Sequence, residues 1–344
     1  MRKVLTILIA LLPLSLLAQI NWDKTVHDFG TTYEDNGSVS QKFSFTNAGE
    51  KPVTIKHVRT TCGCTTSQYP KAAINPGDSD SIIATYNPVG RPGDFEKVLK
   101  VITQDSIYRL TIIGNVIPSQ ITIDSHFPAT IGKLRLSASS IIFNDVESGK
   151  NRSAWLYGYN TTQDTIVASF SNLPPLCSVS ISPDTIPPGS TFSIAAVFRT
   201  TREFEFGRHV NTGTFCQSGE EFPLEMICTI VAPRGEIIEN APKCTFAENR
   251  VRFEDYRKRE ISTSTITIKN TGLSELKIKG FATADEAVFS DCIFPVIIAP
   301  GKEFTLEFKL NRDKEKNYII NDELIIYTNA PIDPNKVVRL VGNK

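Results

Sequence analysis

An excess of charge of either sign is missing from this sequence: lysine plus arginine and aspartate plus glutamate stand at 37 each. A balanced chain has no global field to hold a polyanion, and no basic run interleaved with aromatics appears, so no nucleic-acid partner is expected. Histidine is scarce as well. The four residues His27, His57, His126 and His209 are scattered along the chain, whereas nucleophilic catalysis needs a nucleophile, a base and an orienting group in one pocket. No Gly-x-Ser-x-Gly, His-Glu-x-x-His or phosphate-cradling loop accompanies them, and the sequence reads as non-catalytic, with no cofactor and no metal site. Helical periodicity is absent, and beyond the N-terminal region no apolar run is long enough to span a bilayer.

What the sequence does have is a recurring turn. Asn75-Pro76-Gly77 is followed by apolar residues alternating at Ile82, Ala84 and Tyr86. Proline fixes φ and glycine supplies a positive φ, so the pair is a strong turn signal ahead of a strand. The device returns at Pro188-Gly189, before Phe192, Ile194, Ala196 and Phe198, and at Pro300-Gly301, before Phe304, Leu306, Phe308 and Leu310. Gly77, Gly189 and Gly301 stand at one constant interval of 112 residues. A domain-sized β unit is thereby repeated three times, with these glycines as its structural turns. Each unit is of ordinary domain size and can bury a core without disulfides.

The N-terminus reads as a removable export signal over residues 1–18. Arg2 and Lys3 carry positive charge, Val4 to Leu17 is an apolar run interrupted by Pro13 and Ser15, and Ala18 precedes the cleavage point. The run is shorter than the about 20 residues a spanning helix needs, so no transmembrane span is expected in the mature chain. The first unit occupies 19–117, with about seven short strands separated by turns. Residues 118–133, rich in turn formers, read as a linker. The second unit covers 134–232, a linker runs over 233–243, and the third unit covers 244–344. Phe143-Asn144-Asp145 and Phe253-Glu254-Asp255 stand where the first unit has Phe29, nine residues after the opening apolar residue. The rhythm is that of tandem immunoglobulin-like antiparallel β-sandwiches, an all-β fold.

Cys62-Gly63-Cys64 is the sharpest local feature. Two thiols one residue apart can form a strained, easily reduced disulfide or hold a soft metal such as copper. Against that, Cys177 and Cys292 recur at an interval of 115 residues before their own Pro-Gly turns, which suits small apolar residues at strand ends. Zinc needs three or four ligands. His57 could join on spacing, but it shares strand parity with Val53 and Ile55 and reads as half-buried. The seven cysteines leave at least one unpaired within the chain. Cys216 and Cys228 flank a turn at Ser218-Gly219-Glu220-Glu221, which sets Cys216 opposite Pro223. Asp80-Ser81-Ile82, Asp105-Ser106-Ile107, Asp164-Thr165-Ile166 and Asp184-Thr185-Ile186 resemble a bacterial O-glycosylation sequon, yet they equally read as turns leading into strands.

His27-Asp28-Phe29-Gly30, Asn47-Ala48-Gly49, Cys62-Gly63-Cys64-Thr65 and Pro76-Gly77 together resemble the bacterial domain of unknown function 1573, an immunoglobulin-like module related to Hydin-type and PapD-like sandwiches. The resemblance covers residues 26–117, and the other two units are similar to it as divergent copies without Cys-Gly-Cys. It implies fold and export, and the family has no established activity. The resulting expectation is an exported binding or structural module of the cell envelope, periplasmic, surface-bound or secreted, whose partner is another envelope protein or a glycan. Two alternatives stand beside it: thiol redox or copper handling through Cys62 and Cys64, and a PapD-like assembly role resting on fold analogy.

Overall fold

The computed structural model describes residues 19–254, 260–284, 286–314 and 319–343. The export signal expected over 1–18 lies outside the described residues. The chain divides into two compact units: the first reaches Pro128 and also takes Pro188–Thr191, and the second holds the remainder from Ala129 on.

The first unit is a two-sheet sandwich. Its strands are β1 (Ile20–Trp22), β2 (Val26–Tyr33), β3 (Val39–Asn47), β4 (Ile55–Thr60), β5 (Thr65–Gln68), β6 (Ser79–Tyr86), β7 (Gly93–Thr103) and β8 (Ile107–Ile117). One sheet runs β1-β3-β6-β5 and the other β2-β8-β7-β4. Strict alternation decides which face is inside: Phe43 and Phe45 oppose Leu99, Val101, Leu110 and Ile112 across one core, all 1% exposed or less. Burial of each such side chain stabilises the fold by about 1.5–3 kcal/mol. The Tyr86 and Phe95 rings stack at 4.1 Å to link the two sheets.

The opening of the chain divides between the sheets. β1 pairs antiparallel with β3, and β2 then crosses to pair parallel with the last strand, β8. The sandwiches are therefore not purely antiparallel. Each carries one parallel pair, because the second strand enters and the last strand leaves in the same direction. The β2–β8 register shifts between Asp28 and Thr31, where Gly30 takes a φ of +62° and donates its N–H to Asp28 Oδ1.

The segment 118–133, expected as a linker, is largely regular structure. Ser119 caps α1 (Gln120–His126) by accepting from the Thr122 N–H at 3.2 Å. A seven-residue helix is too short to show a periodic apolar stripe, so the sequence hid it. What holds it is Glu34, 6% exposed, whose carboxylate accepts from Gly90 N–H, Ser119 N–H and Thr122 Oγ1 at 2.7–2.9 Å. Burial opposes the charge, but these hydrogen bonds outweigh it and hold the carboxyl below its ordinary range.

The second unit contains two further sandwiches. The first comprises β9 (Ala129–Ile131), β10 (Leu134–Leu136), β11 (Ser140–Glu147), β12 (Asn151–Tyr159), β13 (Ile166–Ser171), β14 (Cys177–Ser182), β15 (Thr185–Ile186), β16 (Thr191–Arg199), β17 (Gly207–Gln217) and β18 (Glu220–Val231). Its sheets are β14-β16-β12-β10-β9 and β11-β18-β17-β13-β15, with β11 and β18 parallel. The register shift recurs between Ile142 and Asp145, where Asn144 adopts a φ of +53° in the place of Gly30. The β17–β18 turn is two residues, Ser218-Gly219, so Cys216 faces Glu221 rather than Pro223. The loop is thus shorter than the four residues Ser218-Gly219-Glu220-Glu221 that the sequence suggests, and the left-handed Ser218 allows the tighter turn.

The other sandwich comprises β19 (Cys244–Phe246), β20 (Arg250–Phe253), β21 (Ile261–Asn270), β22 (Leu276–Thr283), β23 (Val288–Phe289), β24 (Val296–Ile298), β25 (Glu303–Asn311), β26 (Ile319–Thr328) and β27 (Asn335–Asn343). Its sheets are β19-β21-β25-β23 and β20-β27-β26-β22-β24, and β20 and β27 are parallel. Within this unit the two sandwiches dock. Ala232 N–H donates to Pro331 O, Lys279 Nζ donates to Phe206 O, and Arg208 lies over the Tyr327 ring at 4.8 Å. Glu205 bridges Lys277 at 2.9 Å and Lys279 at 3.2 Å. A Cβ at Gly207 would sit 2.1 Å from Thr328 O, so this close approach needs glycine.

Candidate functional site

Each Pro-Gly turn occupies the same place in its sandwich and is held by the same device. Gly77, Gly189 and Gly301 take φ values of +82°, +67° and +72°. Behind each turn lies a fully buried asparagine at the end of the facing strand: Asn47, Asn160 and Asn270. Asn47 Nδ2 donates to Lys51 O and Ile74 O, and its Oδ1 accepts from Gly49 N–H. Asn160 repeats this with Asp164 O, Ile186 O and Thr162 N–H, and Asn270 with Ser274 O, Ile298 O and Gly272 N–H. One amide thus closes its own turn and ties the strand end that leads into the Pro-Gly pair. Gly77 and Gly301 add N–H bonds to the backbone carbonyls of Asn47 and Asn270, both at 2.8 Å. Two of these clamps stand at Asn-x-Gly turns, Asn47-Ala48-Gly49 and Asn270-Thr271-Gly272. The third carries no such sequence signal, because Thr162 stands where the others have glycine.

Cys62 and Cys64 are joined as a disulfide, with Cα atoms 5.3 Å apart. Cys62 is half-buried and Cys64 buried against the first core. The loop is fixed by backbone and hydroxyl groups: Thr60 Oγ1 donates to Cys62 O, Thr65 N–H to Cys62 O, and Asn87 N–H to Cys64 O. The Thr65 hydroxyl lies 3.8 and 3.7 Å from the two sulfurs. His57 does not join them. A register shift between Ile55 and His57 reverses the parity, and the imidazole is exposed rather than half-buried.

The related cysteines have other surroundings. Cys177 lies half-buried with Sγ 3.6 Å from Met226 Sδ, and its burial raises the thiol pKa. Cys292 stays partly exposed in a loop. Burial pushes the thiols of Cys228 and Cys244 up to about 11 and about 12. Cys228 lies opposite His209 on β17, not opposite Cys216. Among the described residues no three His, Cys, Asp or Glu side chains are grouped to hold a metal ion.

The histidines also stay apart. Partial burial and the Lys24 ammonium, 3.2 Å away, hold His27 below its ordinary value. His209 is lowered by burial while its Nε2 lies 2.7 Å from Glu205 O. Among the described residues no helix is long and apolar enough to cross a membrane.

No curated protein matches the chain. Among solved structures, a protein of unknown function from Porphyromonas gingivalis W83 is similar at 15% identity and a TM-score of 0.49, over 62% of this chain and 100% of that one. The titin I-band fragment I67-I69 is similar at 7% identity and a TM-score of 0.20, over 95% of this chain and 99% of that one. The YadV chaperone is similar at 9% identity and a TM-score of 0.19, over 94% and 100%. Residues 20–116, which make up the first sandwich, match the family described as Protein of unknown function (DUF1573).

Proposed function

We propose that the chain is an exported, non-catalytic array of immunoglobulin-like sandwiches that serves as a binding or structural module of the bacterial cell envelope. One observation carries this reading. What recurs in all three sandwiches is the scaffold, namely the buried asparagine, the Pro-Gly turn and the parallel closing pair, while the outward strand faces differ from copy to copy. A repeated frame with varied surfaces is the economy of a display device, and domains in series multiply weak contacts. Crosslinking of native envelopes followed by affinity capture of the full chain tests it. Recovery of the protein in the envelope fraction, with its N-terminus near Gln19 and a reproducible partner, is the expected outcome. A cytoplasmic protein that keeps residues 1–18 overturns the export reading.

A second reading, thiol exchange or copper handling, is favoured by the Cys62–Cys64 disulfide, whose Cys62 is only partly buried. A ring enclosing one residue gains little from chain entropy, so its retention is not explained by stability alone. The Cys62→Ser/Cys64→Ser variant separates the two: unchanged partner capture leaves the thiols with no part in binding.

A further inference from the structure

The chain has two tryptophans. Trp22 is half-buried on the first core, tilted against Phe45 at 4.9 Å and Tyr108 at 6.0 Å. Trp155 is 57% exposed in the middle of β12, and Tyr157, two residues on, is 56% exposed. Alternation explains where they point. Ala154, Leu156 and Gly158 face the core of the second sandwich, so Trp155 and Tyr157 stand together on the outer face of its β14-β16-β12-β10-β9 sheet. Their Cα atoms are separated by about 6.6 Å along the strand.

The fold does not require these rings. Counting back five and three residues from the clamp asparagine gives the same outward positions in each sandwich. They are Lys42 and Ser44 in the first, Trp155 and Tyr157 in the second, and Thr265 and Thr267 in the third. Two of the three copies form the same sheet with small or charged residues there. Leaving an indole and a phenol in water forgoes the stabilisation that burying them would give, and two exposed aromatics side by side on a sheet face form an apolar patch of the kind that contact surfaces use.

The neighbouring strands supply the rest. On β16 the outward positions are Ser193, Ala195, Val197 and Arg199, alternating with the buried Phe192, Ile194, Ala196 and Phe198. On β14 they are Ser178, Ser180 and Ser182, paired with Val197, Ala195 and Ser193. Beside the two rings there is thus a low floor of small and hydroxylated side chains. Its one cation, Arg199, is exposed and donates to Ser178 Oγ at 3.2 Å. None of β12, β14 and β16 contains an aspartate or glutamate. Arg152 has the parity of Ala154 and Leu156 and so belongs to the other side of β12, which leaves the positive Arg199 as the ionised side chain these three strands present on this face. In a chain of zero formal net charge this face is one-sided.

From this we infer that the Trp155–Tyr157 face of the second sandwich binds an acidic polysaccharide. The inference rests on the reading of the chain as a non-catalytic binding module and names its ligand class. The C–H bonds on the apolar face of a pyranose ring carry partial positive charge and lie against the negative face of an aromatic ring. Rings at i and i+2 of one strand offer two such platforms in line along an extended chain. Serine hydroxyls both donate to and accept from sugar hydroxyls. The guanidinium of Arg199 pairs with a carboxylate or sulfate in a planar, bidentate manner. A protein partner would be served by a patch with a dry apolar centre. Here the rings are flanked by hydroxyls instead, which suits a hydrated, polyhydroxylated ligand.

Affinity electrophoresis of the full chain through gels containing alginate, dextran sulfate or neutral dextran tests this, with isothermal titration giving the affinities. Retardation by alginate or dextran sulfate and not by dextran is expected, the first polymer standing for a uronate source and the second for a sulfate source. Trp155→Ala should weaken binding at least tenfold while leaving net charge and the thermal midpoint unchanged, and Trp155→Phe should restore most of it. Arg199→Ala should weaken binding severalfold. Absence of retardation by both charged polymers overturns the inference, as does a Trp155→Ala chain that binds as well as the parent, since charge alone would then account for it. Either result leaves the module reading standing if envelope crosslinking still captures a partner, and that reading fails separately if no partner is captured.

Discussion

The first and second sandwiches share a frame and differ in how each is finished. Both bury one asparagine behind a Pro-Gly turn and close with a parallel pair. The first adds a disulfide at the β4–β5 loop and a carboxylate that holds α1. The second has an unpaired, half-buried cysteine at the related strand end, exposes two aromatics, and docks on a third sandwich. The difference teaches that the amide clamp is the common structural requirement, whereas sulfur and charge are local additions that one copy can carry and another can omit.

The sharpest way to break this comparison is to remove the clamp in each copy separately. Asn47→Ala, Asn160→Ala and Asn270→Ala each leave a buried carbonyl, at least one part-buried carbonyl and an N–H without their partner. Each should cost about 3–4 kcal/mol, read as a fall in the urea midpoint. If one copy tolerated the change at under about 1 kcal/mol, the clamp would no longer be a shared requirement.

Next in size is the carboxylate peculiar to the first sandwich. Glu34→Gln should cost about 2 kcal/mol, because hydrogen bonds to a charged acceptor become hydrogen bonds to a neutral one. The folded pKa of Glu34 is depressed, so its contribution is fully present above the unfolded value near 4.5 and is lost as pH falls through the folded value. The parent protein should therefore lose stability on acidification more steeply than Glu34→Gln, as followed by circular dichroism. Parallel curves would remove the anchor role.

Smaller still is the disulfide. Reduction, or Cys62→Ser with Cys64→Ser, should lower stability by less than about 2 kcal/mol, since the closed loop spans so few residues. A larger loss would show that the first sandwich depends on its sulfurs in a way that the second does not. The least effect is expected at the docked face of the second unit. Burial opposes the charge of Glu205, but Lys277 and Lys279 prevail and hold its pKa down. The carboxylate is 43% exposed, so Glu205→Ala should cost under about 1 kcal/mol, and less in high salt.

Alternation and the Pro-Gly pairs made the three sandwiches legible in the sequence, because a strand buried on one face must alternate and a tight turn must take positive φ. What escaped was set by groups remote in sequence. The parallel β2–β8 pair joins residues such as Val26 and Thr111, and nothing local to either announces it. The exposure of His57 hinges on a register shift, and a one-residue slip reverses every side chain after it. Helix α1 stands on the carboxylate of Glu34, 85 residues before Ser119. At the candidate site the cysteine pair was visible as spacing. The Trp155–Tyr157 face was hidden because an apolar residue inside a strand is read first as core, and only the parity with Leu156 turns it outward.

The clamp is a primary amide, and that choice has an operational meaning. A carboxamide neither takes up a proton in mild acid nor exchanges with thiols, so the fastening at Asn47, Asn160 and Asn270 works identically in sour, neutral, oxidising or reducing surroundings. Whatever befalls the sulfurs or the buried acid of the first sandwich, the buckle that keeps each sandwich shut is blind to it.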